Sequence, residues 1–177
     1  MMRLFHAGNE EIREPDIRRG RKNADFGQGF YLTPDEEFAR RWAGPGAIVN
    51  EYELDEEGLA VHRFRRDEAW FDCIFRNRRL QDGLTADVVI GPVANDTIFD
   101  TFGVISSGLL EPADAVKLLM IGPEYTQTVI KTEKAVRQLR FIRSSPVRQP
   151  DAGEREAEKE AYQAAFAKAP QEIFGEE

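Results

Sequence analysis

The chain has 177 residues, 41% of them hydrophobic and 32% charged, which is enough apolar material for one core of ordinary domain size and excludes a globally disordered protein. Its single cysteine, Cys73, excludes an intramolecular disulfide, and no Cys/His spacing suits zinc, so no metal is expected and a reducing, cytoplasmic setting fits. No apolar run reaches the length of a signal or a membrane span, which predicts a protein without a membrane partner.

The net charge of −8 is unevenly placed. Eight acids and three bases between Asp151 and Glu177 give −5, leaving −3 for the first 150 residues. Within those, Arg13, Arg18, Arg19, Arg21 and Lys22 form one basic cluster and Arg76, Arg78 and Arg79 another. Such clusters read as solvated faces first and as a nucleic-acid groove second.

In chain order, Met2 to Phe5 predicts a short first strand that ends at His6-Ala7-Gly8-Asn9, a turn signal that leaves His6 at the strand's end. After the basic loop, Asp25-Phe26-Gly27-Gln28-Gly29-Phe30-Tyr31-Leu32-Thr33 sets two glycines before an apolar strand, a loop able to approach a ligand closely. Thr33-Pro34-Asp35-Glu36 predicts a helix start with Thr33 at the N-cap. Phe38, Ala39, Trp42 and Ala43 then recur at helical spacing up to Gly44-Pro45-Gly46.

Ala47 to Leu54 reads as a half-buried strand, with Ile48, Tyr52 and Leu54 on one side and Val49 on the other. A short segment at Leu59 to Phe64 follows. Asp67 to Leu80 has helical spacing, with Trp70, Ile74 and Asn77 on one stripe. Ala86 to Pro92 predicts a buried strand, and Asp96 to Val104 and Pro112 to Met120 predict two helices. Gln127 to Lys131 and Leu139 to Ile142 are the last core strands. Residues 144–153 read as a linker, and residues 154–177 as a charged, alanine-rich tail, partly ordered or helical with a partner. Strands and helices mix without strict alternation, so the fold class is α+β with mainly antiparallel sheets.

Three segments carry a family resemblance: Leu4-Phe5-His6-Ala7-Gly8, then Gly27 to Thr33 with Ala39 and Trp42 behind it, then Tyr125-Thr126-Gln127-Thr128-Val129-Ile130. Together they resemble the ADP-ribosyltransferase superfamily, in the His-Tyr-Glu branch shared by poly(ADP-ribose) polymerases and diphtheria toxin. The nearest likeness is to an uncharacterised group of bacterial domains, in which Asp25 to Thr33 and Val89 to Asp96 are also typical. The resemblance spans residues 2–143, which makes residues 1–143 the expected domain.

The resemblance implies a split β-sheet fold holding NAD as co-substrate. It gives His6 a ribose hydroxyl to bind, and imidazole suits that role as both donor and acceptor. It gives Tyr31 the nicotinamide platform. Ala7, Gly8, Gly27, Gly29 and Phe30 fall beside them as binding residues, and Arg21 is placed to neutralise the pyrophosphate. The family's third position, usually glutamate, is Gln127. An amide oxygen still accepts a hydrogen bond, but it neither stabilises an oxocarbenium-like transition state by charge nor acts as a base. Glu133 and Asp96 are the neighbouring carboxylates that would compensate, and if the missing charge is limiting, Gln127→Glu gains turnover.

The implied activity is mono-ADP-ribosylation of a protein or nucleic-acid acceptor with release of nicotinamide, in the manner of a bacterial toxin or effector whose tail meets an antitoxin or other partner. A cleft that binds NAD or another nucleotide without turnover is the alternative. Each residue also has a plainer reading. His6 alone suits a structural histidine, the glycine pair a loose turn, and Tyr31 a core aromatic. Trp42 and Trp70 read as core, Asn77 and Arg78 as helix surface, and Asp96 as a helix N-cap.

Overall fold

In the computed structural model, two β-sheets lie face to face and each carries a helix on its outer side. The structure describes residues 1–44, 46–94 and 124–148, residue 117, and residues 153, 154, 156, 157, 159–161, 163, 164 and 167. The helices expected at Asp96 to Val104 and Pro112 to Met120 lie outside the described residues, apart from Lys117, which is helical. The described positions from 153 to 167 are helical and exposed.

The elements in order are strand β1 (Met2–Gly8), a 3₁₀ turn (Ile17–Arg19), β2 (Phe30–Leu32), helix α1 (Glu36–Trp42), β3 (Ile48–Leu54), β4 (Val61–Arg63), α2 (Glu68–Arg78), β5 (Val88–Pro92), β6 (Thr126–Ile130), α3 (Glu133–Arg137) and β7 (Leu139–Pro146). The first sheet has the order β1-β3-β7 and is wholly antiparallel; the second has the order β2-β6-β5-β4, with only β4 and β5 parallel. The fold is therefore α+β with two mainly antiparallel sheets. Among the described residues, no helix is long and apolar enough to cross a membrane.

The period-two alternation of strands builds the layers. Leu4, Phe30, Leu32, Tyr52, Leu54, Val88 and Ile130 point inward and form the core between the sheets. The neighbours Val89 and Val129 point the other way, against Phe26 and against Trp70, Phe71 and Ile74 of α2. Phe5 and Val49 point outward from the first sheet to meet Ala39 of α1.

A single antiparallel bridge, Phe5 to Thr33, stitches β1 to the chain just beyond β2. The Phe5 amide donates to the Thr33 carbonyl at 2.8 Å, and the Thr33 amide returns to the Phe5 carbonyl at 2.9 Å. That bridge corrects the expected helix cap. Thr33 is held extended by its pairing, so Asp35 becomes the N-cap of α1 and accepts from the Phe38 amide at 3.0 Å, while Thr33 Oγ1 accepts from the Asp35 amide at 3.2 Å. Asp35→Ala is expected to cost about 1 kcal/mol of stability, read as a lower denaturant midpoint with an unchanged slope.

Several other boundaries move. β1 runs three residues past its predicted end, because all seven of its residues find partners on β3. β7 continues to Pro146, with Ser144 and Ser145 opposite Asn50 and Val49, so pairing overrides their turn-like composition. Helix α3 is unforeseen; it is one short turn capped by Thr132, whose side chain accepts from the Ala135 amide. Asn77 and Arg78 are corrected from surface to interior, since Asn77 is buried and the Arg78 side chain is only 15% exposed. Trp42 is corrected the other way: it is 66% exposed and leans on Phe38, with ring centroids 5.5 Å apart. Trp70 is fully buried and donates its indole N–H to the Pro92 carbonyl at 3.0 Å.

Candidate functional site

The two sheets part at the Phe5–Thr33 bridge, and the sequence-derived residues gather there. Beyond that bridge an antiparallel ladder would next join the backbones of Ala7 and Tyr31. The imidazole of His6 takes that place instead, with Nδ1 2.8 Å from the Tyr31 carbonyl oxygen. A carbonyl can only accept, so Nδ1 carries a hydrogen and donates it. In the neutral ring Nε2 is therefore the lone-pair acceptor. A Cβ added at Gly8 would stand 3.2 Å from Nε2, so the bare glycine keeps that atom uncrowded.

Burial pushes the His6 pKa below its ordinary value, partly offset by the hydrogen bond to Tyr31 that favours the charged ring. The unfolded chain thus binds the proton more readily than the folded one. The stability contribution is fully present above the ordinary histidine range and is lost as pH falls below it, whereas Nε2 acceptance persists until pH falls through the lowered folded value. Any ligand that relies on this acceptor is expected to bind with pH-independent affinity through the ordinary histidine range and to weaken only at a pH below it, as measured by titration calorimetry across pH.

Phe30 backs the imidazole, its ring centroid 4.5 Å away, and is itself buried against Tyr52. Tyr31 faces the other side of β2. Its hydroxyl donates to the Gly27 carbonyl at 2.7 Å and accepts from the Phe26 amide at 3.0 Å, which fixes the ring in one orientation. Burial raises the phenol pKa far above its ordinary value, so the hydroxyl stays protonated at every physiological pH.

Three cavities meet around these residues. An apolar one of about 240 Å³ is lined by Phe5, His6, Ala7, Tyr31, Phe38, Trp42, Val93 and Gln127, among others. A polar one of about 490 Å³ shares Tyr31, Trp42, Val93 and Gln127 with it and adds Arg21, Asn23, Asp25 and Arg78. A third, also about 490 Å³, runs from His6, Gly8 and Phe30 toward Glu10, Asp16 and Arg19. These sizes suit a small-molecule site with an apolar centre and a few oriented polar groups. Among the described residues Arg21 has no ion-pair partner, which leaves its guanidinium available to an anion.

Gln127 stands on β6, opposite Gly91 of β5, and on the same face as Tyr31. It is buried, and its Nε2 donates to Asp25 Oδ2 at 2.9 Å and to the Pro92 carbonyl at 3.1 Å. Glu133, one of the two expected compensating carboxylates, lies elsewhere: it begins α3 and faces Arg18 at 3.6 Å on the surface. Asp96, the other, lies outside the described residues. Among the described residues the carboxylate beside Gln127 is Asp25, which opens the stretch Asp25 to Thr33 and has no role assigned from the sequence.

The two glycines of the loop sit differently. Gly27 has a positive φ of 75°, lines none of the three cavities, and lies against Asp82 and Lys131. Gly29 borders the third cavity, but its missing side chain serves the close approach of Val129 and Ile130 on β6. Of the basic loop, Arg13, Arg18 and Arg19 pair with Glu11, Glu133 and Glu10 on the surface. The Cys73 thiol is pushed up to about 12 by burial, so it is no nucleophile at neutral pH.

The chain belongs to the family described as protein of unknown function (DUF3990), which matches residues 2–141. No curated protein matches the chain.

Proposed function

We propose that this protein is a member of the ADP-ribosyltransferase superfamily that binds NAD in the cleft where its two sheets part and transfers a single ADP-ribose unit to a protein or nucleic-acid acceptor. The observation that carries this reading is the meeting of His6, Tyr31 and Gln127 around one apolar cavity where the sheets diverge. Those are the three positions the resemblance marks, and they arrive there from β1, β2 and β6.

Each residue has chemistry to match. Neutral His6 offers Nε2 as an acceptor for a ribose hydroxyl, held in place by its other nitrogen. Tyr31 offers a ring locked through its hydroxyl, suited to lie against nicotinamide as the pyridinium becomes neutral. Arg21 supplies positive charge for the pyrophosphate. In the reaction the bond from C1′ of the ribose to the nicotinamide nitrogen breaks, and its electron pair leaves with nicotinamide. The acceptor's lone pair forms the new bond to C1′, and the acceptor's proton passes to solvent. Gln127 accepts a hydrogen bond from the nicotinamide ribose and orients it. A toxin or effector role follows from the same class of activity.

One observation favours a second reading, a binding module for NAD or another nucleotide without turnover: Gln127 brings no negative charge to the developing cation. Incubation of the full chain with labelled NAD and a cell lysate separates the two. Transfer predicts free nicotinamide and label on protein, RNA or DNA; binding alone predicts retention of intact NAD with no label transferred. Absence of both binding and release contradicts both readings.

A further inference from the structure

A carboxylate that neither the resemblance nor the plain reading of the sequence assigns stands behind the candidate acceptor. Asp25 is 8% exposed and every direction around its carboxylate is taken. Oδ1 accepts from Arg78 Nε at 3.0 Å and Arg78 Nη2 at 2.7 Å. Oδ2 accepts from the Ala94 amide at 3.2 Å and from Gln127 Nε2 at 2.9 Å. The Asp25 carbonyl is also held, by Asn77 Nδ2 at 2.9 Å.

The consequence for Gln127 is a fixed sense of its amide. The two groups facing Nε2, a carboxylate and the Pro92 carbonyl, are both acceptors. Rotating the amide by half a turn would set Oε1 against two other oxygens, so only one orientation is tolerable. Oε1 accepts no hydrogen bond among the described residues, and it is not sealed inside the protein, so it opens toward the cavities that Gln127 lines.

We propose that Asp25, anchored by Arg78, is the positioning residue of this cleft: it locks the Gln127 amide so that Oε1 is presented as an oriented acceptor for a hydroxyl of a bound sugar. The hydroxyl assignment rests on the NAD reading; the locking does not. The negative charge that the resemblance leads one to expect at position 127 sits one hydrogen bond behind it, already neutralised by a guanidinium. Position 127 and position 25 are therefore coupled, and a glutamine is what an aspartate at 25 requires there. Glutamate at 127 would oppose one carboxylate to another and to a carbonyl, and would do so in a buried place.

Thermal unfolding of the full chain as a double-mutant cycle tests this. In wild-type background Gln127→Glu is expected to lower Tm by roughly 5–10 °C at pH 8. The loss is expected to shrink toward pH 5, because two facing carboxylates share a proton and so raise the folded pKa, which costs stability as pH rises. Asp25→Asn alone is also expected to destabilise, since its amide nitrogen must face either Arg78 or the N–H groups of Ala94 and Gln127. In the Asp25→Asn background, Gln127→Glu is expected to cost at most half as many degrees as in wild type, and its pH dependence is expected to shrink to the part set by burial and the Pro92 carbonyl. Additive losses, or a Gln127→Glu loss that does not vary with pH, overturn the locking.

The sugar contact is read separately by calorimetry with NAD on the same proteins, choosing pH values at which each remains folded. Asp25→Asn is expected to weaken NAD at least tenfold while leaving the pH onset of the His6 effect in place. Wild-type affinity in folded Asp25→Asn overturns the positioning role. If wild type binds no NAD, the NAD reading and the sugar contact fall together, and the unfolding cycle alone decides the locking.

Discussion

His6→Ala is expected to lower nicotinamide release from NAD by on the order of 100-fold in kcat/KM, a loss typical for one oriented hydrogen bond at a reacting site. The variant removes the Nε2 acceptor and also the Nδ1 bond that ties β1 to the Tyr31 carbonyl at the parting of the sheets. Those two effects are separable. His6→Asn keeps a short donor able to reach a carbonyl but does not present an acceptor at the far side of a ring, so it is expected to regain stability more than activity. Tyr31 divides in the same way. Tyr31→Phe keeps the ring and leaves the Phe26 amide without its acceptor, at a cost of about 1–3 kcal/mol in stability with a smaller loss of release. Tyr31→Ala removes the ring itself and is expected to match His6→Ala. Steady-state release assays with unfolding curves on the same samples check all four.

The second large effect is on folding. A Cβ on Gly29 would lie 2.6 Å from Val129 Cγ1 and 2.7 Å from the Ile130 carbonyl oxygen, and the latter is main chain inside the second sheet. Gly20 approaches the other side of the same residue, where a Cβ would run into the Gly29 carbonyl. The 28–30 segment is thus clamped between β6 and the basic loop, with Gln28 Nε2 donating to the Arg18 carbonyl at 2.6 Å and the Gly20 carbonyl at 3.1 Å. Gly29→Ala cannot be absorbed by a rotamer change and must push β2 off β6, so a loss of roughly 3 kcal/mol or more is expected. Gly44→Ala, where an added Cβ meets nothing within 4 Å, is the control and is expected to be nearly neutral. Denaturant midpoints of the two variants decide it.

What the sequence reveals here follows the range of the forces involved. Alternation and helical spacing mark β3, β5, β6 and α2, because burial on one face imposes a local period. His6 and Tyr31 stand out because each lies in a short apolar strand inside a recognisable segment. Asp25 does not, although it borders one. Its role is set by Arg78, 53 residues away, and by Gln127, 102 residues away, and no local pattern encodes those separations. The same partner draws Arg78 inward from a helix face that its charge alone would leave in water. Trp42 fails in the opposite direction: its spacing in α1 matches that of Phe38, but α1 ends there and the indole overhangs the cleft. Both glycines stand where a side chain would not fit, Gly29 because β6 lies against it and Gly27 because the Asp82 and Lys131 side chains do.

The cleft as an NAD site is tested most directly by calorimetric titration of NAD into the purified full chain at pH 7.5, beside His6→Ala at the same concentration. Saturable binding by the wild type, weakened at least tenfold in a His6→Ala protein that still unfolds cooperatively, is the predicted result. No binding by the wild type, or equal affinity in the two proteins, would contradict it.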